Sequence, residues 1–183
     1  MNKYICHSGG CAGSDMFWED RGKLYGVKTI AYSFYNHKQY GKHPQVLTVV
    51  ELNKGFEHVM LANKSLRRYP QGQPQYIKNL LARNWYQVIN SEAVFAIGKF
   101  KTKLIVDGGT GWAVQMGIDT KKPVFFFNQP TNCWNTYAYD TKEFRVMYEL
   151  PKLTENFAGI GTRELNDNGK KAIIEIYKHT FNS

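Results

Sequence analysis

The chain has 183 residues, of which 43% are hydrophobic, and this combination is typical of one globular domain with a sizeable core. No apolar run approaches the roughly 20 residues that a membrane-spanning helix needs, and the first residues are too polar for a signal peptide, which favours the cytosol. The formal net charge is +9, which suits either nucleic acid or a smaller anion as partner. Because no arginine-rich arm or zinc-finger spacing accompanies that charge, nucleic acid is the less favoured partner. We therefore expect residues 1–183 to form a single domain that attracts anions.

The cysteines and histidines give no sign of a metal site. Cys6, Cys11 and Cys133 are odd in number and lack paired spacing, so neither a disulfide nor zinc is expected, and the five histidines show no ligand spacing. We expect no metal and no cofactor. Cys11 lies in a turn that begins a helix, a position that can activate a thiol, but the sequence identifies no histidine partner for it.

Apolar runs and amphipathic segments alternate along the chain, which predicts alternating strands and helices. The predicted strands are Tyr4–His7, Val27–Phe34, Ala93–Ile97, Leu104–Val106, Val124–Phe127 and Phe157–Ile160. The predicted helices are Ser14–Leu24, Phe56–Leu66, Tyr76–Ile89, Thr110–Asp119 and Asn166–His179. Several of the strands are continuous apolar runs, as buried parallel strands are. The pattern predicts a Rossmann-like α/β fold, a doubly wound, mostly parallel sheet with helices on both faces.

Two segments do not fit that alternation. Tyr35–Val49 is interpreted as an insertion or flap, and Asn128–Pro151 is expected to contain extra strands around Phe144–Leu150. The aromatic residues of Cys133–Tyr139 are interpreted as packing residues. The alternative, which stays open, is that this segment forms a mobile lid over a ligand. Long loops in compact domains often act as such lids.

Three glycine-rich turns each follow a predicted strand and precede a helix. They are Ser8–Asp15, Asp107–Gln115 and Gly159–Glu164. Backbone N–H groups and the helix dipole make a helix start a site for anions, and glycine lets a ligand approach the backbone closely. Because parallel strands end at one edge of a sheet, we expect the three turns to converge there. A phosphorylated ligand is the expected occupant.

Two familiar nucleotide motifs are missing. No Gly-x-x-x-x-Gly-Lys-Ser/Thr sequence is present, which disfavours a P-loop NTPase. Gly109-Thr110-Gly111 begins a dinucleotide fingerprint, but Val114 stands where its third glycine belongs. The acidic residue that should follow is also replaced, by Asn128 and Gln129. A classical NAD-dependent dehydrogenase is therefore disfavoured.

The turns resemble those of a known superfamily. Ser8-Gly9-Gly10-Cys11-Ala12-Gly13-Ser14-Asp15 with Glu19 resembles the SGGAxGAD…E turn of the YpsA-related branch of the SLOG superfamily, and Gly159-Ile160-Gly161-Thr162-Arg163-Glu164 resembles its GIGSRE turn. Arg83-Asn84, followed by Val94–Ile97, is similar to the family's RN…sDaxxAF segment. The GIGSRE-like turn lies last here and first in ordinary members, so the resemblance implies a circularly permuted domain.

The same comparison bears on catalysis. The resemblance to LOG-type phosphoribohydrolases of this superfamily places Asp107, Trp112 and Gln115 at the proline, threonine and glutamate of their Pro-Gly-Gly-x-Gly-Thr-x-x-Glu motif. That glutamate is implicated in N-glycosidic bond cleavage, and a glutamine cannot act as a general acid or base. Gln115 can still hydrogen-bond to a ribose. The resemblance therefore implies binding without hydrolysis by the LOG route.

We expect the ligand to lie among residues that the turns and the resemblance single out. Arg163 suits a bidentate phosphate clamp, and Trp112 is placed either to stack on a base or to pack in the core. The expected ligand-binding residues are Ser8, Gly9, Gly10, Ser14, Asp15, Glu19, Arg83, Asn84, Asp107, Gly108, Gly109, Thr110, Gly111, Trp112, Gln115, Gly161, Thr162 and Arg163.

Three classes of function stay open. The favoured one is non-catalytic sequestration of a nucleotide-derived molecule (ADP-ribose-like, cyclic ADP-ribose-like or a cyclic oligonucleotide), as in phage anti-defence sponges. The second is a LOG-type nucleotide N-glycosidase in which Asp15, Glu19 or Asp107 supplies the missing carboxylate. The third is a DprA-like binder of single-stranded nucleic acid. The resemblance also implies a homo-oligomer.

Overall fold

The computed structural model describes residues 3–38 and 44–182. Within these ranges the strands are β1 (Ile5–Ser8), β2 (Lys28–Ser33), β3 (Gln45–Val46), β4 (Ala93–Gly98), β5 (Phe100–Thr102), β6 (Ile105–Val106), β7 (Val124–Asn128), β8 (Cys133–Ala138), β9 (Glu143–Val146) and β10 (Asn156–Gly161). The helices are α1 (Ser14–Leu24), α2 (Val49–Leu66), α3 (Gln75–Ile89), α4 (Thr110–Asp119) and α5 (Asp167–Phe181). None of these described helices is both long and apolar enough to cross a membrane.

Eight strands form one mostly parallel sheet in the order β3-β2-β1-β10-β4-β7-β8-β9. The strands from β3 to β7 pair in parallel, and only the pairs β7–β8 and β8–β9 are antiparallel. Strand β4 is buried along its whole length, because helices cover it on both sides. The predicted Rossmann-like α/β fold is confirmed.

The helices divide between the two faces of the sheet. Helices α2, α3 and α4 pack on one another, and a core that includes Val59, Trp85 and Phe126 lies beneath them. Helices α1 and α5 pack together over a second core that contains Trp18 and Tyr177. The Tyr177 hydroxyl donates a hydrogen bond to the backbone carbonyl of Trp18 at 2.9 Å, which satisfies a buried polar group and joins the two helices.

The strand order reverses at the centre of the sheet. From β1 the chain winds outward through β2 to β3, then crosses back to β4 on the other side, and β10 finally fills the gap between β1 and β4. A crevice forms at such a switch point because successive connections leave in opposite directions, and α/β proteins bind ligands there. The candidate site is therefore expected beyond the carboxyl ends of β1, β10 and β4.

The predicted strand Leu104–Val106 does not belong to the main sheet, so that part of the prediction is wrong. Its residues Ile105–Val106 pair only with β5, as a small antiparallel hairpin. Leu104 is 53% exposed, which a buried parallel strand does not allow. The hairpin is an excursion from the end of β4, and the Asp107 N–H donates to the Lys99 carbonyl at 3.0 Å. The glycine turn that begins at Asp107 therefore lies at the carboxyl end of β4, at the same edge of the sheet as the other two turns.

Helix α2 begins at Val49 rather than at the predicted Phe56. A capping box starts it: the Thr48 hydroxyl accepts the Glu51 N–H, and the Glu51 carboxylate accepts the Thr48 N–H. Val49 and Val50, in the first turn of α2, are 73% and 78% exposed. Because these apolar residues face solvent rather than the core, the apolar periodicity of the sequence does not reveal that the helix begins here. The described end of the expected Tyr35–Val49 flap forms β3 and the start of α2, while residues 39–43 lie outside the described residues.

The expected extra strands after Asn128 are present as the antiparallel pair β8 and β9: β9 overlaps the first part of Phe144–Leu150, and β8 lies earlier in the chain. Strand β8 contains most of the segment for which a lid was the alternative. Trp134 is 7% exposed and packs edge-on against Phe127, and the Tyr139 hydroxyl donates to the Lys122 carbonyl at 2.5 Å. The packing interpretation is confirmed, because these side chains hold the edge of the sheet.

Candidate ligand-binding site

A cleft of about 600 Å³ opens at the switch point, a size typical of small-molecule sites. Residues of all three glycine-rich turns line it, together with α3 and the connection between α2 and α3. The lining residues are Cys11, Asp15, Arg68, Tyr69, Pro70, Gln73, Ile77, Leu80, Leu81, Arg83, Asn84, Gln87, Gly98, Lys99, Asp107, Gly108, Gly109, Thr110, Trp112, Gln129, Ile160, Gly161, Thr162, Arg163 and Glu164.

The turn before α4 presents unused backbone donors to this cleft. Gly111 and Trp112 donate to the carbonyls of Asp107 and Gly109, but no described hydrogen bond uses the N–H groups of Gly108, Gly109 or Thr110. A Cβ built at Gly108 or Gly109 meets nothing within 4 Å, so the space beside these donors is open. At the start of a ten-residue helix, this arrangement suits an anion.

Two cations flank that turn. Arg68 donates to the Val106 carbonyl at 2.8 Å and to the Gly108 carbonyl at 2.6 Å, and its guanidinium lies 5.6 Å from the Trp112 ring centroid. Lys99 lies 3.8 Å from the Asp107 carboxylate. Arg68 therefore fixes the shape of the turn, and the surrounding charge favours an anionic ligand over a neutral one.

A third cation, the exposed Arg163, lines the cleft. Its side chain forms no hydrogen bond or ion pair with the part of the chain that the structure describes. Its positive charge acts to lower the pKa of the buried Asp15 and the pKa of His37. A guanidinium whose donors are not used by the protein can bind a phosphate in a bidentate manner.

The turn before α1 is closed by comparison. Gly13 is the N-cap at φ 94°, and the Thr162 carbonyl accepts both the Ser14 N–H at 3.0 Å and the Ser14 hydroxyl at 2.8 Å. Gly9 lies against the Arg83 guanidinium, where a Cβ has no room. These backbone groups serve packing, and the turn contributes only Cys11 and Asp15 to the cleft lining.

Arg83 forms the floor of the cleft. It is 5% exposed, and its Nη1 donates to the carbonyls of Gly9 and Tyr32. Its Nη2 lies 3.1 Å from the Cys11 sulfur, while its Nε has no hydrogen-bond partner among the described residues. The Gln87 Oε1, on the same helix, is likewise buried and unpaired, although its Nε2 donates to Asn84. Such groups are normally satisfied, so a ligand or water is expected to reach them.

Asp15 is a buried carboxyl with an altered pKa. Desolvation raises the pKa to about 6, although Arg83, the N–H groups of Cys11 and Gly161, and Arg163 act in the opposite direction. Burial also raises the pKa of Glu19, whose carboxylate accepts the Ser8 hydroxyl at 2.9 Å. Only Asp15 of this pair lines the cleft. A carboxyl that titrates near neutral pH can exchange a proton with a bound molecule.

Part of the cleft lining is apolar. Ile77, Leu80 and Leu81 of α3 line the cleft, together with Tyr69 and Pro70 of the α2–α3 connection. Trp112 is 5% exposed and belongs to the core, so most of its ring is used for packing rather than for a base. The cleft thus offers both charged and apolar side chains to a ligand.

The expected site residues divide between the cleft and its support. Those that line the cleft are Asp15, Arg83, Asn84, Asp107, Gly108, Gly109, Thr110, Trp112, Gly161, Thr162 and Arg163. The structure places Ser8, Gly9, Gly10, Ser14, Glu19, Gly111 and Gln115 outside the lining. Gln115 donates to the Asp119 carboxylate at 2.8 Å, one turn further along α4. The resemblance puts Gln115 at the position of the glutamate of LOG-type enzymes, but in the structure this residue lies outside the cleft lining.

Sequence reasoning missed the α2–α3 connection, which provides Arg68, Tyr69, Pro70 and Gln73. This connection has a turn with a single glycine, Gly72, and follows a helix rather than a strand, so no pattern assigned it to the carboxyl edge. The adjacent pair Arg67-Arg68 and the two prolines Pro70 and Pro74 were the available signals of an ordered basic loop. Cys11 was considered without a partner, yet the His37 Nε2 lies 3.8 Å from its sulfur.

The fold and the cleft define a doubly wound α/β protein whose ligand site lies at the switch point of its sheet. Comparison with known proteins adds nothing to this class: no protein-family model, curated protein or solved structure matches the chain. The resemblance of its turns to the SLOG superfamily therefore stays a prediction.

Proposed function

We propose that the chain binds a nucleotide-derived small molecule in this cleft and holds it unchanged. The observation that carries the proposal is that one cleft of about 600 Å³ is lined both by an open glycine turn and by apolar side chains. A nucleotide has the matching parts, a phosphate group and a flat, largely apolar base. ADP-ribose-like, cyclic ADP-ribose-like and cyclic oligonucleotide molecules are the proposed ligands.

The phosphate would lie at the turn before α4. The N–H groups of Gly108, Gly109 and Thr110 are unused, and Lys99 and Arg68 add positive charge beside them. Arg163, which also lines the cleft, can bind a second anionic group. The positive charge and the helix-start donors both favour a phosphate, which supports an anionic ligand.

The base would lie against Ile77, Leu80 and Leu81. Burial of its faces there removes apolar area from water, and the Asn84 amide is placed to reach polar edges. The exposed ring of Tyr69 stands at the mouth of the cleft. Contacts from both this connection and the Gly161–Glu164 turn would support retention, because tight capture requires contacts on several sides.

Retention without turnover is the favoured outcome. If the SLOG resemblance holds, the residue at the glutamate position of LOG enzymes is Gln115, whose amide is already bonded to Asp119. A domain that only holds its ligand would act as a sponge for a nucleotide signal. The same resemblance leads us to propose a cytosolic homo-oligomer, which light scattering after size-exclusion chromatography would detect.

One observation favours a second function, cleavage of an N-glycosidic bond. The Asp15 carboxyl lines the cleft, and its pKa of about 6 suits a general acid or base near neutral pH. In that case Asp15 would take the role that a glutamate has in LOG-type enzymes. The two functions differ in whether the ligand survives.

The experiment incubates the purified chain with ADP-ribose, cyclic ADP-ribose, nucleoside monophosphates and cyclic di- and trinucleotides. Each mixture is filtered and chromatographed before and after heat denaturation. Sequestration predicts a ligand that disappears from the filtrate and returns intact on heating. A new product before heating, lost in Asp15→Asn, would establish the enzyme instead, and no depletion of any ligand would overturn both.

A further inference from the structure

The three cysteines lie in very different surroundings. Cys6 is fully buried, and desolvation raises its pKa well above the ordinary range. Cys133 is partly exposed at the start of β8, and its thiol donates to the Thr131 carbonyl at 3.1 Å. Cys11 is also partly exposed, but it lines the cleft. Cys11 and Cys133 therefore form a matched pair that differs mainly in electrostatic environment.

Arg83 places a positive charge directly beside the Cys11 sulfur. Its Nη2 lies 3.1 Å from that sulfur, and the residue is 5% exposed, so water screens the charge poorly. Within the described ranges no carboxylate forms an ion pair with Arg83, and its buried Nε has no hydrogen-bond partner. An anionic group that reaches Cys11 would thus find a guanidinium with a spare donor, whose charge is shared with the Asp15 carboxylate that accepts the Cys11 N–H at 3.3 Å.

The backbone and a histidine add to this environment. The Cys11 carbonyl accepts the Met16 N–H at 3.2 Å, which places the residue at the start of α1. The Cys11 sulfur lies 3.8 Å from the His37 Nε2, and the His37 Nδ1 lies 3.0 Å from the Ser33 hydroxyl. Burial, together with Arg83 and Arg163, lowers the pKa of His37 to about 4, so the imidazole is neutral at pH 7. A neutral imidazole has one nitrogen that can accept a hydrogen bond.

We propose that Cys11 is a covalent modification site for small anionic electrophiles that enter the cleft. In the reaction the thiol releases its proton to solvent, because the pKa of about 4 makes the His37 imidazole too weak a base to take it. The sulfur electron pair forms a bond to the electrophilic carbon, and the leaving group departs with the electrons of its own bond. Arg83 and Arg163 hold the anionic part of the reagent, and the adduct fills the floor of the cleft. This site is independent of whether the natural ligand is a nucleotide.

The test compares two alkylating reagents on the folded chain, iodoacetate and iodoacetamide. Both transfer a two-carbon group and release iodide, but only iodoacetate is anionic. The ratio of their rates at one cysteine therefore cancels the intrinsic reactivity of that thiol. Peptide-resolved mass spectrometry at several times gives the ratio at Cys11 and at Cys133 in the same sample. We expect a ratio about tenfold larger at Cys11, the lower end of electrostatic rate enhancement.

An exposed variant refines the result. Arg163→Gln removes a rim charge without disturbing packing and is expected to lower the ratio at Cys11 but not at Cys133. If Cys11 still prefers iodoacetate over iodoacetamide in this variant, Arg83 accounts for the preference, and the proposal stands. Equal ratios at the two cysteines, or a folded chain in which Cys133 reacts and Cys11 does not, would overturn the proposal. Cys6 reports unfolding, since it should react only after denaturation.

Discussion

Two glycine-rich turns of this molecule have similar sequences and opposite uses. The turn before α1 is filled by its neighbours: Gly9 lies against Arg83, and Gly13 packs on the backbone of Arg163. In the turn before α4, Gly108 and Gly109 face open space and keep unused N–H groups. The difference arises from tertiary packing, because the carbonyl of Thr162 covers one helix start and nothing described covers the other. A glycine turn therefore predicts close backbone approach, but not whether the approaching group is a ligand or the protein itself.

The first prediction separates the two turns by stability. Gly13→Ala should lower the free energy of unfolding by about 2–5 kcal/mol, because the residue has φ 94° and a Cβ would lie 2.6 Å from the Arg163 Cα. Gly109→Ala should change it by less than about 0.5 kcal/mol, because Gly109 has helical angles (φ −63°, ψ −34°) and open surroundings. Urea denaturation of both variants measures the difference. Equal losses would mean that the two turns are packed alike.

The second prediction concerns Asp15. Its folded pKa of about 6 lies above the ordinary value of 3.8, so the folded state binds the proton more tightly than the unfolded state does. The stability due to this proton is fully present below pH 3.8 and is lost as the pH rises through about 6. Between pH 4 and pH 7 the wild type should thus lose about 2–3 kcal/mol relative to Asp15→Asn.

Urea denaturation of both proteins across that pH range measures this change. The depressed pKa of His37 acts with the opposite sign, since its contribution is lost as the pH falls toward 4. That contribution occurs in the wild type and in the variant, so the difference between the two proteins reports Asp15 together with the part of the raised pKa of Glu19 that the Asp15 charge causes. A difference that does not vary with pH would contradict the burial of an ionisable Asp15.

The third prediction concerns the support of the open turn. Arg68→Gln removes the hydrogen bonds to Val106 and Gly108 and should cost about 1–2 kcal/mol of unfolding free energy. Arg67→Gln is the matched control, with the same change in charge at a neighbouring exposed residue, and should cost less than about 0.5 kcal/mol. Thermal unfolding of the two variants checks the order. A loss in Arg67→Gln as large as in Arg68→Gln would show that charge, rather than the anchor, matters.

The sequence predicted the sheet well and the site in part. Strands such as Ala93–Ile97 are continuous apolar runs that can only be buried, so their place in a parallel sheet follows from composition. The segment Ile105–Val106 is also apolar, so its sequence resembles that of a buried strand. Only its pairing with β5 shows that it forms a separate hairpin outside the main sheet. Local pattern does not specify partners, which is why this strand was misplaced.

The site shows the same limit. Asp15 and Arg163 were found because they lie in recognisable turns, and Arg83 was found because Arg83-Asn84 resembles a family segment; the structure brings all three to one cleft. Arg68 and the pair of Cys11 with His37 were not found, because each depends on residues that are distant in sequence. Gln115 lies outside the lining because its side chain turns toward Asp119, a contact within one helix that the motif alignment did not consider.

The most direct test of the central claim uses the contrast between the two turns. A ligand depleted by the wild type is measured by equilibrium dialysis with wild type and Gly109→Ala, then released by heat and identified by chromatography. The account predicts saturable binding by the wild type, weaker binding by the folded variant whose methyl group enters the open turn, and recovery of the unchanged ligand. Equal binding by both proteins, or recovery of a converted product, would contradict it.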